Sequence, residues 1–186
     1  MIGYGFCGSF CTLSRSFDEM ERLTLAGIEV LPLMSDAVYS TDTRFGRAEE
    51  FRSKVERAAG KEIVHTVVGA EPLGPKRPLE LLILAPCTGN TLAKIALGIT
   101  DTAITMAAKA HLRQDRPLLI ALASNDSLSA NLSNVARLIT RKGVYFVPMK
   151  QDDPEHKPHS LVADFTLLFD CVSAALAGKQ IRPLFL

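Results

Sequence analysis

The chain has 186 residues, of which 47% are hydrophobic and 22% charged, a composition typical of one soluble globular domain. Its 21 Lys and Arg residues nearly balance its 20 Asp and Glu residues, so it lacks the basic excess of a nucleic-acid-binding protein. No apolar run is long enough to span a membrane, and the N-terminus lacks the basic start of a signal peptide. We therefore expect a cytoplasmic protein that binds neither nucleic acid nor membranes.

The first half of the chain alternates short apolar runs with amphipathic stretches, which is the pattern of an α/β protein. Strands are predicted at Met1–Phe6, Ile28–Met34 and Ile63–Val68, and helices at Ser16–Ala26 and Ala48–Ala59. A polar loop is expected at Asp42–Phe45, and the prolines that follow Glu71 predict a stiff loop without regular structure.

The second half continues the same alternation. Buried strands are predicted at Leu81–Ala85 and Pro117–Ala123, and a short strand at Val144–Val147. Helices are predicted at Asn90–Leu97, Thr102–Leu112, Leu128–Arg141 and Ser160–Ala177, and a polar loop at Met149–Pro158. The sequence thus predicts a single flavodoxin- or Rossmann-like three-layer domain, whose mostly parallel sheet has five or six strands with Leu81–Ala85 and Leu118–Ala123 central.

Ligands of such sheets bind beyond the carboxyl ends of the strands. Four segments lie there in the predicted fold, and all contain small polar residues: Gly5–Ser9, Met34–Asp36, Pro86–Thr91 and Ala123–Ser127. Because the carboxyl ends of neighbouring strands meet at one edge of the sheet, we expect these loops to converge. Their clustering is more informative than any single motif.

The segment Gly5–Ser9 joins the first strand to the first helix. Glycine lets the backbone approach an anion closely, and the N-terminus of a helix offers unpaired N–H groups. The alternative interpretation is a tight turn without a ligand. The glycine spacing is not that of a dinucleotide-binding GxGxxG motif, and no acidic residue closes the second strand where it would hold a ribose.

The stronger motif is Pro86-Cys87-Thr88-Gly89-Asn90-Thr91, which follows a buried strand without a gap. Thr88 or Asn90 is expected to cap the next helix and to leave polar donors facing a ligand. An ordinary capped turn between strand and helix is the alternative. The four cysteines have no zinc-site spacing, so we expect no metal and interpret each cysteine as a small buried apolar residue.

The segment Ala85–Lys94 resembles the Pro-Ala-Ser-Ala-Asn-Thr segment of the homo-oligomeric flavin-containing cysteine decarboxylase family. Gly5–Ser9 is similar to the first phosphate loop of that family, and Gly98–Thr105 to its Gly-x-x-Asp segment. The resemblance implies a bound FMN, a trimer-based homo-oligomer, and an Asn90 that faces both the flavin and the substrate carboxylate. This resemblance and the expected convergence of the loops together assign cofactor contacts to Gly8, Ser9, Ser35, Pro86, Thr88, Gly89, Asn90 and Thr91.

Other loops resemble one branch of this family, whose members take part in making dipicolinate in spore-forming bacteria. The similar segments are Thr41–Gly46, Ala70–Lys76, Pro86–Asn90, Gln151–Pro154, Lys157–Pro158 and Gly178–Gln180. This resemblance implies the oxidation of dihydrodipicolinate together with a different partner chain that resembles nicotinamide-dependent enzymes. Two carboxylates on a substrate call for fixed cations, and Arg44 is the leading candidate, ahead of Lys76, Arg77 and Lys157.

Two alternatives remain open. The first is a flavin-dependent decarboxylase or a flavin prenyltransferase, but the active-site His of the decarboxylases is replaced here by the Glu71 region. His65 falls earlier, inside a predicted strand, and is interpreted as a core residue. The reactive Cys of the decarboxylase lid is also not recognisable in Gln151–Pro158. The second alternative is an assembly protein that has kept the fold without chemistry.

Overall fold

A computed structural model describes residues 1–74, 76 and 79–186 of the chain. Its strands are β1 (Ile2–Phe6), β2 (Val30–Met34), β3 (Leu82–Cys87), β4 (Leu118–Ser124), β5 (Val144–Phe146), β6 (Met149–Lys150) and β7 (Leu161–Ala163). Its α-helices are α1 (Leu13–Leu25), α2 (Asp36–Ser40), α3 (Ala48–Ala59), α4 (Val67–Ala70), α5 (Gly89–Leu97), α6 (Ala103–Leu112), α7 (Leu132–Ile139) and α8 (Leu168–Leu176).

The strands form one sheet in the order β2-β1-β3-β4-β7-β6, and β5 also pairs with β4. The pairs among β1 to β5 are parallel, whereas β7 pairs antiparallel with both β4 and β6. β3 and β4 are therefore interior strands, as predicted. The chain order reverses between β1 and β3, which is the topological switch point where sheets of this kind bind ligands.

Side chains alternate between the two faces of the sheet, and each face is covered by helices. Leu82, Leu84, Leu118 and Ile120 belong to one core, together with residues of α5, α6 and α7. The intervening residues of the same strands belong to a second core with α1, α3 and α8. This three-layer arrangement confirms the predicted fold class and explains why β3 and β4 are almost continuously hydrophobic.

The predicted strand Ile63–Val68 is wrong. Only Val64 bridges to Leu33 of β2, and the chain then turns into α4. The Thr66 hydroxyl caps α4 by accepting a hydrogen bond from the Gly69 N–H at 3.0 Å. A cap of this kind favours a helix locally despite β-branched neighbours, because it satisfies one of the unpaired N–H groups of the first turn.

Two predicted helices begin later than expected. α7 starts at Leu132 instead of Leu128, since the N–H groups of Ser129 and Asn131 donate to the Asp126 carbonyl in a preceding turn. The predicted helix Ser160–Ala177 contains β7, a 3-10 turn at Phe165–Leu167 and then α8. The predicted polar loop after Val147 likewise begins with β6, which pairs with β7. Such short strands depend on distant pairing partners and carry little local signal.

The prolines after Glu71 only partly prevent regular structure. Glu71–Leu73 forms a 3-10 helix, while Pro75, Arg77 and Pro78 lie outside the described residues. In the described part of the chain, no helix has the combination of length and apolar character that crossing a bilayer demands.

Candidate functional site

The loops that follow β1, β2 and β3 lie side by side at the carboxyl edge of the sheet. The Cys7 N–H donates to the Pro86 carbonyl at 3.2 Å, which joins the loops of β1 and β3. The Ser35 hydroxyl donates to the Cys7 carbonyl at 3.1 Å, which joins the loops of β1 and β2. The structure therefore brings together three of the four segments that the sequence places at this edge.

The β1 loop has an unusual backbone. Gly8 has φ +138° and Ser9 has φ 56°, so two consecutive residues have positive φ before the chain enters a 3-10 turn at Phe10–Thr12 and then α1. Within the residues that the structure describes, the N–H groups of Gly8 and Ser9 meet no acceptor. Consecutive N–H groups that are left free beside a helix N-terminus form a natural cradle for an anion.

Gly8 also lies against the β3 loop, because a Cβ atom added there would stand 2.9 Å from Thr88 Cγ2. The Thr12 hydroxyl donates to the Ser9 carbonyl at 2.9 Å and lies 3.1 Å from the Ser9 hydroxyl, so the Ser9 hydroxyl keeps its own hydrogen to donate. Any larger residue at position 8 would both strain the backbone and fill the space between the two loops.

Ser35 is buried at the end of β2 and caps α2. Its N–H donates to the Phe6 carbonyl at 3.0 Å, and its hydroxyl accepts from the Val38 N–H at 3.4 Å. Since the hydroxyl hydrogen is already donated to the Cys7 carbonyl, Ser35 mainly holds the loops of β1 and β2 together. Ser35 would therefore contribute to an anion site by holding the β1 loop in position.

The β3 loop leads directly into α5. The Thr88 hydroxyl accepts from the Thr91 N–H at 3.2 Å and so caps the helix, as the sequence predicts. Asn90 is exposed in the first turn of α5, while Gly89 and Thr91 are buried. The amide of Asn90 is thus available to a ligand. The Ala85–Pro86 peptide bond that precedes this loop is cis.

A polar network behind Gly89 was not identified from the sequence. Asp126 accepts hydrogen bonds from the Ser124 hydroxyl at 2.5 Å and from the Asn131 amide at 2.8 Å. A Cβ atom on Gly89 would stand 2.7 Å from both Asp126 Oδ1 and Asn131 Nδ2, and would also contact Ser124 Oγ. The fourth polar segment therefore supports the β3 loop from behind, and the polar run after β4 was its only sequence signal.

A cleft of about 300 Å³ opens beside the β1 loop. It lies between the start of α1, the end of α2, the loop after α2 and the first turns of α3. Arg47 and Lys54 line it together with Phe10, Phe45 and Phe51. Glu50 lines the cleft as well, so its walls carry two cations and one carboxylate beside three aromatic rings.

The basic residues that the sequence suggests as partners of substrate carboxylates lie in different parts of the structure. Arg44 is exposed and stacks on Phe45, with its guanidinium carbon 4.9 Å from the ring centroid. Lys157 pairs with Asp152 at 2.9 Å, and this partner raises the pKa of the Lys157 ammonium. Lys76 is exposed, and Arg77 lies outside the described residues. Arg47, three residues after Arg44, is the cation of that loop that lines the cleft.

His65 is half-buried and stacks on Tyr39, with the ring centroids 3.7 Å apart. It lies in an irregular segment beside β2 and not inside a strand, because only Val64 bridges to the sheet. Glu71, which lies in the region where the sequence resemblance implies the His of the decarboxylases, is exposed. Within the described residues, no three His, Cys, Asp or Glu side chains converge as a metal ion would require.

Comparison with known proteins gives a consistent result. A model of the flavoprotein family matches residues 2–175. The chain is 43% identical over 183 residues to the B subunit of dipicolinate synthase from Bacillus subtilis (strain 168), covering 98% of this chain and 92% of that protein. The crystal structure of the dipicolinate synthase B subunit from Bacillus halodurans C superposes with a TM-score of 0.91 at 40% identity, covering 100% of this chain and 95% of that one.

A more distant neighbour shares the fold. The dodecameric FMN-dependent Ubix-like decarboxylase from Escherichia coli O157:H7 superposes with a TM-score of 0.64 at 22% identity, and the match covers 80% of each chain.

Proposed function

Because the chain belongs to the flavoprotein family, we propose that it binds FMN and is the B subunit of a dipicolinate synthase. In this role it takes part in the oxidation of dihydrodipicolinate to dipicolinate during sporulation, together with the A subunit of dipicolinate synthase, in the cytoplasm. The observation that carries the proposal is the convergence of the β1, β2 and β3 loops around the N–H groups of Gly8 and Ser9, which have no acceptor among the described residues. The similarity to the B subunit of dipicolinate synthase over nearly the whole chain supports the choice of substrate.

The β1 loop is the proposed phosphate site of FMN. The N–H groups of Gly8 and Ser9 and the Ser9 hydroxyl would donate to the phosphate, and Ser35 would hold the loop in place. Hydrogen bonds to a charged acceptor contribute about 1.5–3 kcal/mol each. No Lys or Arg occurs in Gly5–Ser9, so this site depends on neutral donors and on the N-terminus of α1.

The β3 loop is the proposed contact for the flavin ring, through Pro86, Thr88, Gly89, Asn90 and Thr91. The flavin would supply a hydride acceptor, and the protein supplies orientation and charge. The exposed Asn90 amide is the proposed contact with both the ring and a substrate carboxylate. Arg44 and Arg47 are the proposed partners of the dicarboxylate. Arg47 is favoured because it lines the cleft.

The alternatives have less support. A cysteine decarboxylase needs its His, yet Glu71 occupies the corresponding region and His65 is stacked on Tyr39. A purely structural protein would not need the N–H groups of Gly8 and Ser9 to point into the space beside the β3 loop.

FMN titration tests the proposal directly. We expect the purified protein to quench FMN fluorescence on binding. Gly8→Val should abolish FMN binding, because the side chain would fill the space that the phosphate needs. Ser9→Ala should weaken FMN binding about tenfold, or about 1.4 kcal/mol, through the loss of one hydrogen bond. Thr24→Ala is a matched control, since the Thr24 hydroxyl donates to the Glu21 carbonyl of the same helix, at an exposed position. Unchanged affinity in both loop variants, with circular dichroism intact, would contradict the site. A protein that refuses FMN would favour the assembly role.

A further inference from the structure

A hollow of about 180 Å³ lies in the helical layer that α5, α6 and α7 form on one face of the sheet. Its walls come from the end of α5, one side of α6 and the turn after α7, and not from the three loops of the proposed FMN site. Three basic side chains line it, those of Lys109, Arg113 and Arg141, so we call it the basic hollow.

The basic hollow differs from other clefts of the molecule in its charge. Among the described residues, no Asp or Glu lines it. By contrast, Glu50 lines the cleft beside the β1 loop, and Asp18 lines a hollow between α1 and β7. Lys109, Arg113 and Arg141 also form no ion pair with any other described residue. Within the part of the chain that the structure describes, their positive charge therefore has no counter-ion.

The helix ends beside the hollow do not require these cations. Basic side chains often satisfy the last carbonyls of a helix, but backbone N–H groups do so here. The Ile99 N–H donates to the Lys94 carbonyl of α5 at 2.8 Å, and the Arg141 N–H donates to the Leu138 carbonyl of α7 at 3.1 Å. The side chains of the basic hollow are therefore available to a ligand.

We propose that the basic hollow is a second anion site, which binds a small organic anion that carries two or three carboxylate groups. Lys109 and Arg113 are four residues apart on α6, so they share one face of the helix, where like charges repel each other. Arg141 adds a third positive charge from the turn after α7. A bound polyanion would offset this repulsion, and each Arg can hold a carboxylate through two parallel N–H groups.

The size and the apolar lining of the hollow favour an organic anion over an inorganic one. Its volume of about 180 Å³ is roughly six times the 30 Å³ or so that a water molecule occupies in the liquid. It therefore has room for an anion with a carbon skeleton. Ile95, Ile99 and Leu112 also line the hollow and would contact that skeleton, while the cations bind the carboxylates.

Isothermal titration of the full chain with citrate, at constant ionic strength, tests the inference. Citrate has three carboxylates on a short carbon skeleton and should bind. Arg113→Gln and Arg141→Gln should each weaken its affinity about tenfold through the loss of charge-assisted hydrogen bonds. Lys142→Gln is the matched control and should leave the affinity unchanged, since Lys142 is exposed beside Arg141 but does not line the hollow. Pyrophosphate, a polyanion without a carbon skeleton, should bind more weakly than citrate.

The comparison of variants locates the site, because citrate bound anywhere else would give the same signal in all four proteins. Absence of citrate binding, or equal affinity in the parent, Arg113→Gln and Arg141→Gln, would overturn the inference. Tighter binding of pyrophosphate than of citrate would overturn the choice of an organic anion. If the two Arg variants changed the mass measured by light scattering but not the citrate affinity, the hollow would hold a carboxylate of a second copy, and the inference would be wrong. None of these results depends on FMN binding.

Discussion

At the scale of single residues, a few backbone positions determine what the carboxyl edge of the sheet can hold. In the described part of the chain the N–H groups of Gly8 and Ser9 have no acceptor, and Gly89 has no room for a side chain. The types of these residues are visible in the sequence, and so is their clustering. Their mutual contacts are not visible, since they join parts of the chain about 80 residues apart.

Gly89 is expected to be intolerant of any side chain. Gly89→Ala would push a methyl group into the Ser124–Asp126–Asn131 network, and overpacking of this kind costs about 1–3 kcal/mol. The variant should unfold at lower urea concentration and bind FMN more weakly. The exposed neighbour Asn90→Ala is the control for stability and should unfold like the parent. Partial recovery in Gly89→Ala/Ser124→Ala would show that the network is the cause, and no destabilisation of Gly89→Ala would contradict it.

His111 is expected to make stability depend on acid pH. It is fully buried at the end of α6 and donates from Nε2 to the Pro117 carbonyl at 2.6 Å, and burial lowers its pKa from 6.5 to about 4. The unfolded chain therefore binds a proton between these pH values that the folded chain does not. The contribution of His111 to the free energy of unfolding is complete above pH 6.5, falls as the pH falls towards about 4, and has lost about 2 kcal/mol at about pH 5.

His111→Gln keeps a donor for the carbonyl but does not titrate. Urea unfolding of the parent and of this variant, at one protein concentration and at neutral and mildly acidic pH, measures the difference. The parent should lose more stability on acidification than the variant does. Equal losses in the two proteins would show that His111 does not titrate in this range.

At the scale of elements, the loop between α2 and α3 illustrates how a sequence motif identifies a region without identifying the residue. The resemblance points to Thr41–Gly46 and hence to Arg44. In the structure Arg44 stacks on Phe45 at the surface, while Arg47 lines the cleft. The direction of a side chain at a loop depends on backbone turns such as the reciprocal Thr43–Gly46 hydrogen bonds, which no periodicity reveals.

Arg47 is therefore expected to contribute more to binding of the dicarboxylate than Arg44. Arg47→Gln should weaken the binding of pyridine-2,6-dicarboxylate about tenfold, because a charge-assisted hydrogen bond contributes about 1.5–3 kcal/mol. Arg44→Gln is the matched control and should change affinity little. Isothermal titration of both variants loaded with FMN would measure this. If Arg44→Gln weakened dicarboxylate binding more than Arg47→Gln did, Arg44 would be the main partner of the carboxylates.

At the scale of the whole molecule, apolar side chains remain exposed near the end of α5. Leu97 and Ile99 are 59% and 43% exposed, and the alanine-rich α6 packs beside them. Exposed apolar residues that lie together commonly mark a contact between protein chains. The homo-oligomer built from trimers that the sequence predicts through the helices between Asn90 and Leu112 stays a prediction, and α6 buries most of its apolar side chains within its own chain.

Light scattering tests the assembly. The parent protein should be larger than a monomer at micromolar concentration, and Leu97→Asp should reduce its mass by placing a charge in the contact. Leu25→Asp is a suitable control, since Leu25 is 82% exposed at the end of α1, far along the chain from this region. A monomeric parent, or a Leu97→Asp variant of unchanged mass, would contradict the proposed interface.

The sequence by itself determined the three-layer fold, the interior strands β3 and β4, and the edge of the sheet at which polar loops collect. It could do so because hydrophobic periodicity, helix caps and glycine are local signals. Only the tertiary structure decided that β6 and β7 pair, that Asp126 supports Gly89 and that Arg47 lines the cleft. Each of these depends on contacts between segments distant in the chain, and a single sequence carries no measure of such distances.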